Sequence, residues 1–248
     1  MVKLSAVIIA SDEERNISRC VRAVKPVADE VLVYVNNSRD LTAELARKEG
    51  ANVLDGSWLG YADTKNTANA AARFDWIISL DADEVLSPEL QQELLRWKHQ
   101  PVNASFTRLT NYCGKFIRYC GWYPEFKWRL FNRKQTVWEG SIHEQLKQLD
   151  GSLPRIKKLN GDCFHFSYYT VEEHLNQSRK FARLAAEDLF RRGKSSSFVK
   201  SVLGPPFKFL TMYIFKLGFL DGRSGYFVCK ISAHAVRMRE KFLRQLRA

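Results

Sequence analysis

Three carboxylates lie directly behind an apolar run in DWIISLDADEVLSPEL, residues 75–90. Asp81, Asp83 and Glu84 fall within four positions, and like charges this close repel one another unless a positive partner relieves them. An Asp-x-Asp pair at the end of a strand offers the oxygen ligands that a hard divalent cation such as Mg²⁺ or Mn²⁺ prefers, and that cation could hold a diphosphate. The alternative interpretation is a solvated turn before a helix whose dipole favours acids.

The elements around these acids are predicted from the hydrophobic period. Short β-branched runs predict strands, and the segments between them predict helices. The strands are expected at 4–10, 30–35, 51–54 and 76–80, and the helices at 13–24, 41–49 and 63–73. This alternation is typical of a parallel sheet with right-handed crossovers, in which ligands bind beyond the carboxyl ends of the strands. The acidic segment is therefore expected to face a crevice.

The second half of the chain has a different pattern. Ser87 and Pro88 form a helix start signal, and the sequence from 103 to 165 is aromatic and strand-like. Thr170 opens a capping-box pattern before a long predicted helix at 171–192. The apolar segments that follow are interrupted by prolines and lysines, so none is long enough to be a membrane-spanning helix. We therefore predict a first domain at 1–165 and a helical C-terminal region at 166–248.

The positive charge is concentrated at one end of the chain. The net charge is +12, and residues 191–248 contain thirteen Lys/Arg against two Asp/Glu, a net of +11. These basic residues alternate with large apolar ones, a mixture that suits a segment lying on an anionic membrane surface. The sequence thus predicts a basic, membrane-associating C-terminal region.

Cysteine content and the N-terminal sequence indicate the compartment. The five cysteines are odd in number and form no CxxC pair, which argues against a disulfide framework or a structural zinc site. The initial apolar run is short and ends in acids, so it predicts a first strand rather than a signal peptide. We expect a protein of the reducing cytoplasm.

Several separated motifs together resemble family 2 glycosyltransferases of the GT-A fold. VIIASDEERNI (7–17), VNNSRDLT (35–42) and WLGYADTKNTANAAARFDWIISLDADE (58–84) are similar to that family's N-terminal segments. WRLFNR (128–133), WEGSIHE (138–144) and FKFLTMYIFKLGFLDGRSGYF (207–227) resemble a narrower group, the small bacterial β-glucosyltransferases of lipopolysaccharide inner-core assembly. The resemblance implies an α/β fold, with a Rossmann-like, mostly parallel sheet flanked by helices and a helical C-terminal extension.

The resemblance also implies an activity. It is the metal-dependent, inverting transfer of a hexose, glucose from UDP-glucose, onto an inner-core heptose of lipopolysaccharide, with Mg²⁺ or Mn²⁺ as cofactor. The acceptor would be a lipid-linked core oligosaccharide. The enzyme would then work as a peripheral protein on the cytoplasmic face of the bacterial inner membrane.

The same resemblance suggests roles for individual residues. Asp83, Asp81 and His143 are the candidate metal ligands, and Asp81 could instead serve the ribose or a metal-bound water. Glu144 is the first candidate for the general base, and Glu125 is the second. Donor contacts are expected from Arg129 and Lys65. Trp122, Tyr123, Trp128 and Trp138 could be flat platforms for sugar rings.

Recognition of the donor's nucleobase is less clearly indicated by the sequence. Val35 stands where the family usually has an aspartate that contacts uracil, and a valine cannot accept a hydrogen bond from a base. Other residues of the two N-terminal loops would have to replace it. The candidate donor-binding residues there are Asp12, Glu13, Asn37 and Asp40.

Two other functions fit parts of the sequence. Asp81 and Asp83 in LDADEV also match the signature of haloacid-dehalogenase-type phosphatases, although GDCFHF at 161–166 lacks the second acid that their Mg²⁺ site needs. A basic, aromatic C-terminal region could bind nucleic acid, but no recognition-helix, zinc-finger or RNP-like pattern supports this. We therefore do not expect nucleic acid as a partner.

Overall fold

The computed structural model describes residues 1–140 and 144–247. The chain divides into two compact units. The first comprises Met1–Arg108 with Glu125–His165, and the second comprises Leu109–Pro124 with Phe166–Ala248. The predicted domains also divided after residue 165, but the sequence had placed 109–124 in the first of them.

The elements alternate in the first half and become strand-rich afterwards, as predicted. The strands are β1 (Leu4–Ala10), β2 (Glu30–Asn36), β3 (Asn52–Gly56), β4 (Trp76–Asp81), β5 (Glu84–Leu86), β6 (Ala104–Tyr112), β7 (Lys115–Phe116), β8 (Glu125–Asn132), β9 (Thr136–Glu139), β10 (Gln145–Gln148) and β11 (Lys157–Tyr168). The helices are α1 (Ile17–Val24), α2 (Thr42–Lys48), α3 (Tyr61–Ala71), α4 (Pro88–Trp97), α5 (Val171–Arg191), α6 (Phe198–Leu210) and α7 (Gly222–Gln245). A π-helical turn (Thr211–Phe215) and a 3₁₀ turn (Gly218–Asp221) separate α6 from α7.

The main sheet is mixed. Its strand order is β3-β2-β1-β4-β8-β6-β11-β5, with β7 paired to β6, while β9 and β10 form a separate pair. Strands β1 to β4 are parallel to one another, and β8 joins β4 antiparallel. The carboxyl ends of β1, β2 and β4 therefore meet at one edge, where ligands of such sheets bind.

Helices cover both faces of the parallel strands. Leu4 and Ile8 of β1 are buried with Val21 of α1 on one face, and Val7 is buried with Ala68 of α3 on the other. This alternation follows from the two-residue period of a strand. The predicted α/β class is confirmed.

Strand β11 is held close to the start of α4. Ser87 caps α4 by accepting a hydrogen bond from the Leu90 N–H, with Pro88 at the first helical position. Gly161 of β11 has φ +95°, and a Cβ atom there would lie 2.4 Å from the Leu90 nitrogen. Only glycine fits this combination of left-handed backbone and close approach.

The second unit is mainly helical. Thr170 and Glu173 form the predicted capping box at the start of α5. His174, one turn later, lies 3.2 Å from the Tyr112 hydroxyl and against the rings of Trp122 and Tyr168. Burial in this aromatic cage lowers the pKa of His174 to about 4, so the ring is neutral near pH 7. Within the described residues, each helix is too short or too polar to span a bilayer.

Candidate active site

Asp81, the last residue of β4, is neutralised by two cations from other elements. Its Oδ2 lies 2.6 Å from the Arg129 guanidinium of β8, and its Oδ1 lies 3.4 Å from the Lys65 ammonium of α3. Burial opposes ionisation of this carboxyl, but the charges of Arg129 and Lys65 outweigh it and hold the pKa of Asp81 well below its usual range. The Asp81 carboxylate is therefore ionised at the carboxyl end of β4.

Glu84, the third acid of this segment, is paired with two arginines. Its side chain is buried, its Oε1 lies 2.8 Å from Arg129 and 3.5 Å from Arg108, and its Oε2 accepts a hydrogen bond from the Asp81 N–H. Arg129 and Arg108 therefore relieve the repulsion among these acids, for which the sequence predicts a bound divalent cation. Arg129 was predicted to bind the donor or an acceptor phosphate. It is buried between Asp81 and Glu84, which favours a positioning role, but it also lines the cleft beside Asp81, so the predicted phosphate contact stays a prediction.

Asp83 has a different partner from its neighbours. Its Oδ2 lies 3.2 Å from Nε2 of His165, on β11. The antiparallel ladder between β11 and β5 pairs His165 with Glu84 and so brings the imidazole beside the acidic turn. The sequence gives His165 no role, because its place beside the acidic turn depends on the register of β11 against β5.

The Asp83–His165 pair is the strongest candidate for holding a divalent cation. A carboxylate oxygen and a neutral imidazole nitrogen are both good ligands for such ions. Among the residues that the structure describes, no cluster of three or more His, Cys, Asp or Glu side chains is arranged for a metal. His143, a predicted ligand, lies outside the described residues. A cation at Asp83 and His165 would therefore need oxygen atoms from a bound ligand, and a diphosphate supplies them.

Lys65 links Asp81 to the predicted general base. The Lys65 side chain is 2% exposed, and its Nζ lies 2.8 Å from Oε1 of Glu144 and 4.6 Å from the centre of the Trp138 ring. Asn66, the next residue of α3, donates to the Trp138 carbonyl and accepts from its N–H. These two hydrogen bonds hold β9 against α3 and set the distance between Lys65 and the strand that precedes Glu144.

These charged groups border a cleft of about 470 Å³. Asp81 and Glu144 lie on its wall together with the aromatic side chains of Phe126, Trp128 and Trp138. Two of the four aromatic residues proposed from the sequence as sugar platforms, Trp128 and Trp138, line it. Flat apolar rings beside carboxylates form the kind of surface on which a sugar ring can stack while its hydroxyls are hydrogen-bonded.

Glu125, the second candidate for the base, is held by two cations, whereas Glu144 lines the cleft. Its carboxylate lies 2.8 Å from both Arg108 and Lys127. Burial raises the pKa of Glu125. The charges and hydrogen bonds of Arg108 and Lys127 lower it by a larger amount, so the net shift of the pKa is downward. A carboxylate with a depressed pKa is a poorer proton acceptor.

The predicted donor-binding loops are tied to each other. Asp40 accepts hydrogen bonds from Ser38, Thr42 and the Glu14 N–H, and these bonds outweigh burial and lower the pKa of Asp40 to about 2. Asp12, with φ +55°, accepts from the Arg39 N–H. Asp40 is therefore engaged within the loops, which favours a structural role over the predicted donor contact.

Glu13 and Asn37 lie in the loops that follow β1 and β2. Asn37, in the left-handed conformation with φ +53°, follows β2 and is exposed. Burial, together with the charges of Asp83, Asp40 and Asp81, raises the pKa of Glu13 to about 7 despite a hydrogen bond from Asn16. An acid that titrates near neutrality beside a possible cation site is typical of functional sites.

Comparison with known proteins finds a matching family model and several similar sequences. The model described as glycosyl transferase family 2 matches residues 5–145. An uncharacterised glycosyltransferase of Rickettsia typhi is 32% identical over 99% of this chain and 88% of its own length. The lipopolysaccharide core biosynthesis glycosyltransferase LpsC of Rhizobium meliloti is 26% identical over 92% of this chain and 84% of its own length.

Solved structures show more distant similarity. A structure described only as a mycobacterial protein has a TM-score of 0.47, with 17% identity over 75% of this chain and 74% of that one. Glucosyl-3-phosphoglycerate synthase from Mycobacterium tuberculosis, in complex with Mn²⁺, UDP and glucosyl-3-phosphoglycerate, has a TM-score of 0.38, with 20% identity over 44% of each chain.

Proposed function

Because the chain belongs to glycosyl transferase family 2, we propose that it is a metal-dependent inverting hexosyltransferase that uses UDP-glucose as its donor. Its mixed sheet with flanking helices is a GT-A fold. The observation that carries the proposal is that Asp81 and Glu144 line one cleft and are bridged by Lys65, while Asp83, two residues after Asp81, is paired with His165. Family membership favours this activity over the phosphatase and nucleic-acid-binding alternatives.

The donor's diphosphate is proposed to lie at the edge formed by the ends of β1 and β4. Asp83 and His165 would hold a divalent cation, Mn²⁺ or Mg²⁺, which would neutralise the charge that develops on the leaving diphosphate. Asp81, fixed by Arg129 and Lys65, would accept hydrogen bonds from the ribose or from water near that cation. His165 replaces Asp81 in this assignment because Asp81 already has two cationic partners.

Glu144 is proposed as the general base. In an inverting transfer the acceptor hydroxyl attacks the anomeric carbon from the face opposite the leaving group, so its proton must pass to a base on that side. Glu144 lies on the cleft and is oriented by Lys65. The aromatic wall beside it offers a place for the acceptor sugar.

The acceptor is proposed to be a core oligosaccharide of lipopolysaccharide, with another bacterial surface glycan as the near alternative. The Rhizobium meliloti relative is a lipopolysaccharide core biosynthesis glycosyltransferase, which supports a core acceptor. Such an acceptor is anchored in a bilayer, so the enzyme would work as a peripheral protein on the cytoplasmic face of the inner membrane.

The first experiment is a donor screen. Release of UDP from a panel of UDP-sugars is measured with a core oligosaccharide acceptor, with and without Mn²⁺ or Mg²⁺. UDP-glucose with a metal ion should give the fastest release. Metal-independent turnover, or faster release from another UDP-sugar, would contradict the proposal.

Two variants test the cation site. Asp83→Asn and His165→Gln should each reduce metal-dependent turnover by about 100-fold or more and weaken Mn²⁺ binding measured by calorimetry in the presence of UDP. Asp55→Asn, an exposed acid of β3 whose side chain is 67% accessible, is the matched control. If Asp83→Asn kept its Mn²⁺ affinity and its turnover, the cation would have to be held elsewhere.

Two further variants test the base. Glu144→Gln should leave UDP-glucose binding nearly unchanged and reduce transfer by about 100-fold or more, because it removes the proton acceptor alone. Glu125→Gln should retain most of the activity. The reverse outcome would identify Glu125 as the base.

A further inference from the structure

The second unit contains an apolar groove that the chemistry above does not use. It has a volume of about 720 Å³ and lies among α5, α6 and α7. Its interior is formed by side chains without polar atoms, including Val171, Pro205, Phe209, Phe227 and Ile231. A polar metabolite would find no hydrogen-bond partner among them, so the interior suits a hydrocarbon chain.

The rim of this groove is basic. Lys230, His234 and Arg237 of α7 are the polar residues that line it, and all three are exposed. Within residues 1–140 and 144–247, neither Lys230 nor Arg237 forms an ion pair with a carboxylate. Their spacing of three or four positions places them along one side of α7. Two cations above an apolar slot match an amphiphile with an anionic head and a hydrocarbon tail.

Helix α6 extends the apolar surface beyond the groove. Val199, Leu203, Phe207 and Leu210 recur every three or four residues, so they share one face of the helix, and each is more than half exposed. Lys200 and Lys208, which are also exposed, lie on the same helix. An exposed apolar helix face with basic neighbours is typical of a helix that lies in the headgroup layer of a bilayer.

We propose that this groove binds an acyl chain of an anionic bilayer phospholipid, with Lys230 and Arg237 on the phosphate and the exposed face of α6 in the surrounding lipid. A second copy of this chain is a poorer occupant, because residues 191–248 carry a net charge of +11 and two such regions repel each other. The inference depends on neither the donor nor the acceptor proposed above, but it would bring the enzyme to the surface that holds a lipid-linked acceptor.

The charge requirement is tested with the full chain and sedimented vesicles at low salt. Vesicles of phosphatidylcholine with phosphatidylglycerol should bind the protein, whereas phosphatidylcholine alone should bind it weakly. The double variant Lys230→Glu with Arg237→Glu should weaken binding by roughly tenfold or more. Lys48→Glu with Lys157→Glu makes the same change in net charge at exposed positions of the first unit and should have a much smaller effect.

Insertion of the apolar face is tested with a reporter. Leu210 lines the groove and is 51% exposed, and Phe207 is 73% exposed, so Leu210→Trp and Phe207→Trp should both fold. Phosphatidylglycerol brominated along its acyl chains should quench the added fluorescence of either variant. Leu153→Trp, at a position 95% exposed in the first unit, is the control that should not be quenched.

Three results would overturn the proposal. The first is equal vesicle binding by the two charge variants. The second is binding without quenching of the Leu210→Trp and Phe207→Trp reporters. The third is a stable dimer in lipid-free buffer that Leu210→Asn dissociates, since a second copy would then cover the groove. Transfer to a water-soluble acceptor fragment, measured in parallel, reports separately on the proposed enzymatic activity.

Discussion

Asp81 and Asp83 are two positions apart but have opposite electrostatic settings. Asp81 forms ion pairs with Arg129 and Lys65. Breaking these pairs would leave buried charges without a partner. Asp83 faces His165, whose imidazole can also be a metal ligand. The acid that is free to bind a cation is therefore the second of the pair, because the first is already neutralised.

Glu13 provides a test of the acidic edge through stability. Its pKa is raised from 4.5 to about 7 in the folded chain, so the folded state binds the proton more tightly than the unfolded state. Glu13 should therefore contribute a fall of about 2 kcal/mol in the free energy of unfolding as pH rises from about 4.5 to about 7. This contribution is the difference between wild type and Glu13→Gln, because buried His174, whose pKa is lowered to about 4, contributes a rise over part of the same range in both proteins. Glu13→Gln should remove this fall.

The measurement is urea denaturation at pH 5 and pH 8 in the presence of a chelator. Glu89→Gln, an exposed acid of α4, is the control and should keep the wild-type pH dependence. If Glu13→Gln also kept it, Glu13 would not be the group that titrates.

At the scale of elements, β11 determines where His165 lies. The ladder with β5 pairs Cys163 with Leu86 and His165 with Glu84, and the close approach at Gly161 holds the strand against the start of α4. A shift of β11 by one residue would turn His165 to the opposite face of the sheet. The cation site thus depends on the packing of a strand against a helix.

Gly161→Ala tests this packing. The added Cβ would meet the Leu90 backbone nitrogen at 2.4 Å in a left-handed conformation, and we expect a loss of about 2 kcal/mol or more in unfolding free energy. Turnover should fall as well, because β11 must move. Both are measured, by denaturation and by UDP release.

Gly151→Ala is the matched control. Gly151 also has a positive φ, +73°, but its Cβ would have no heavy atom within 4 Å. It should lose about 1 kcal/mol of stability from backbone strain alone and keep its activity. Equal losses in the two variants would show that the approach to α4 has no effect.

At the scale of the molecule, the segment 109–124 packs in the second unit, against helical residues about a hundred positions later in the chain. Buried Asp221 accepts hydrogen bonds from the N–H groups of Arg118 and Tyr119, and Cys120 lies 3.6 Å from Cys229, sulfur to sulfur. A break after His165 would therefore remove the partners of this segment.

A fragment of residues 1–165 should consequently bind a hydrophobic dye such as ANS and self-associate, because the apolar side chains of 109–124 would be exposed. Arg108 and Glu125 are paired across antiparallel β6 and β8, so a two-residue Asn-Gly turn can join them. The fragment with 109–124 replaced by that turn should bind less dye and remain monomeric in analytical ultracentrifugation. A monomeric, cooperatively unfolding original fragment would contradict the division into units.

The sequence by itself determined the elements and the family. Strand and helix periods, the Ser87 cap and the Thr170 capping box are local signals, and the separated motifs were specific enough to indicate a family 2 glycosyltransferase before any geometry was known. Only the tertiary structure decided which group neutralises which acid. Arg129 is 48 positions from Asp81 and His165 is 82 positions from Asp83, and no local pattern encodes a pairing that depends on the register of distant strands.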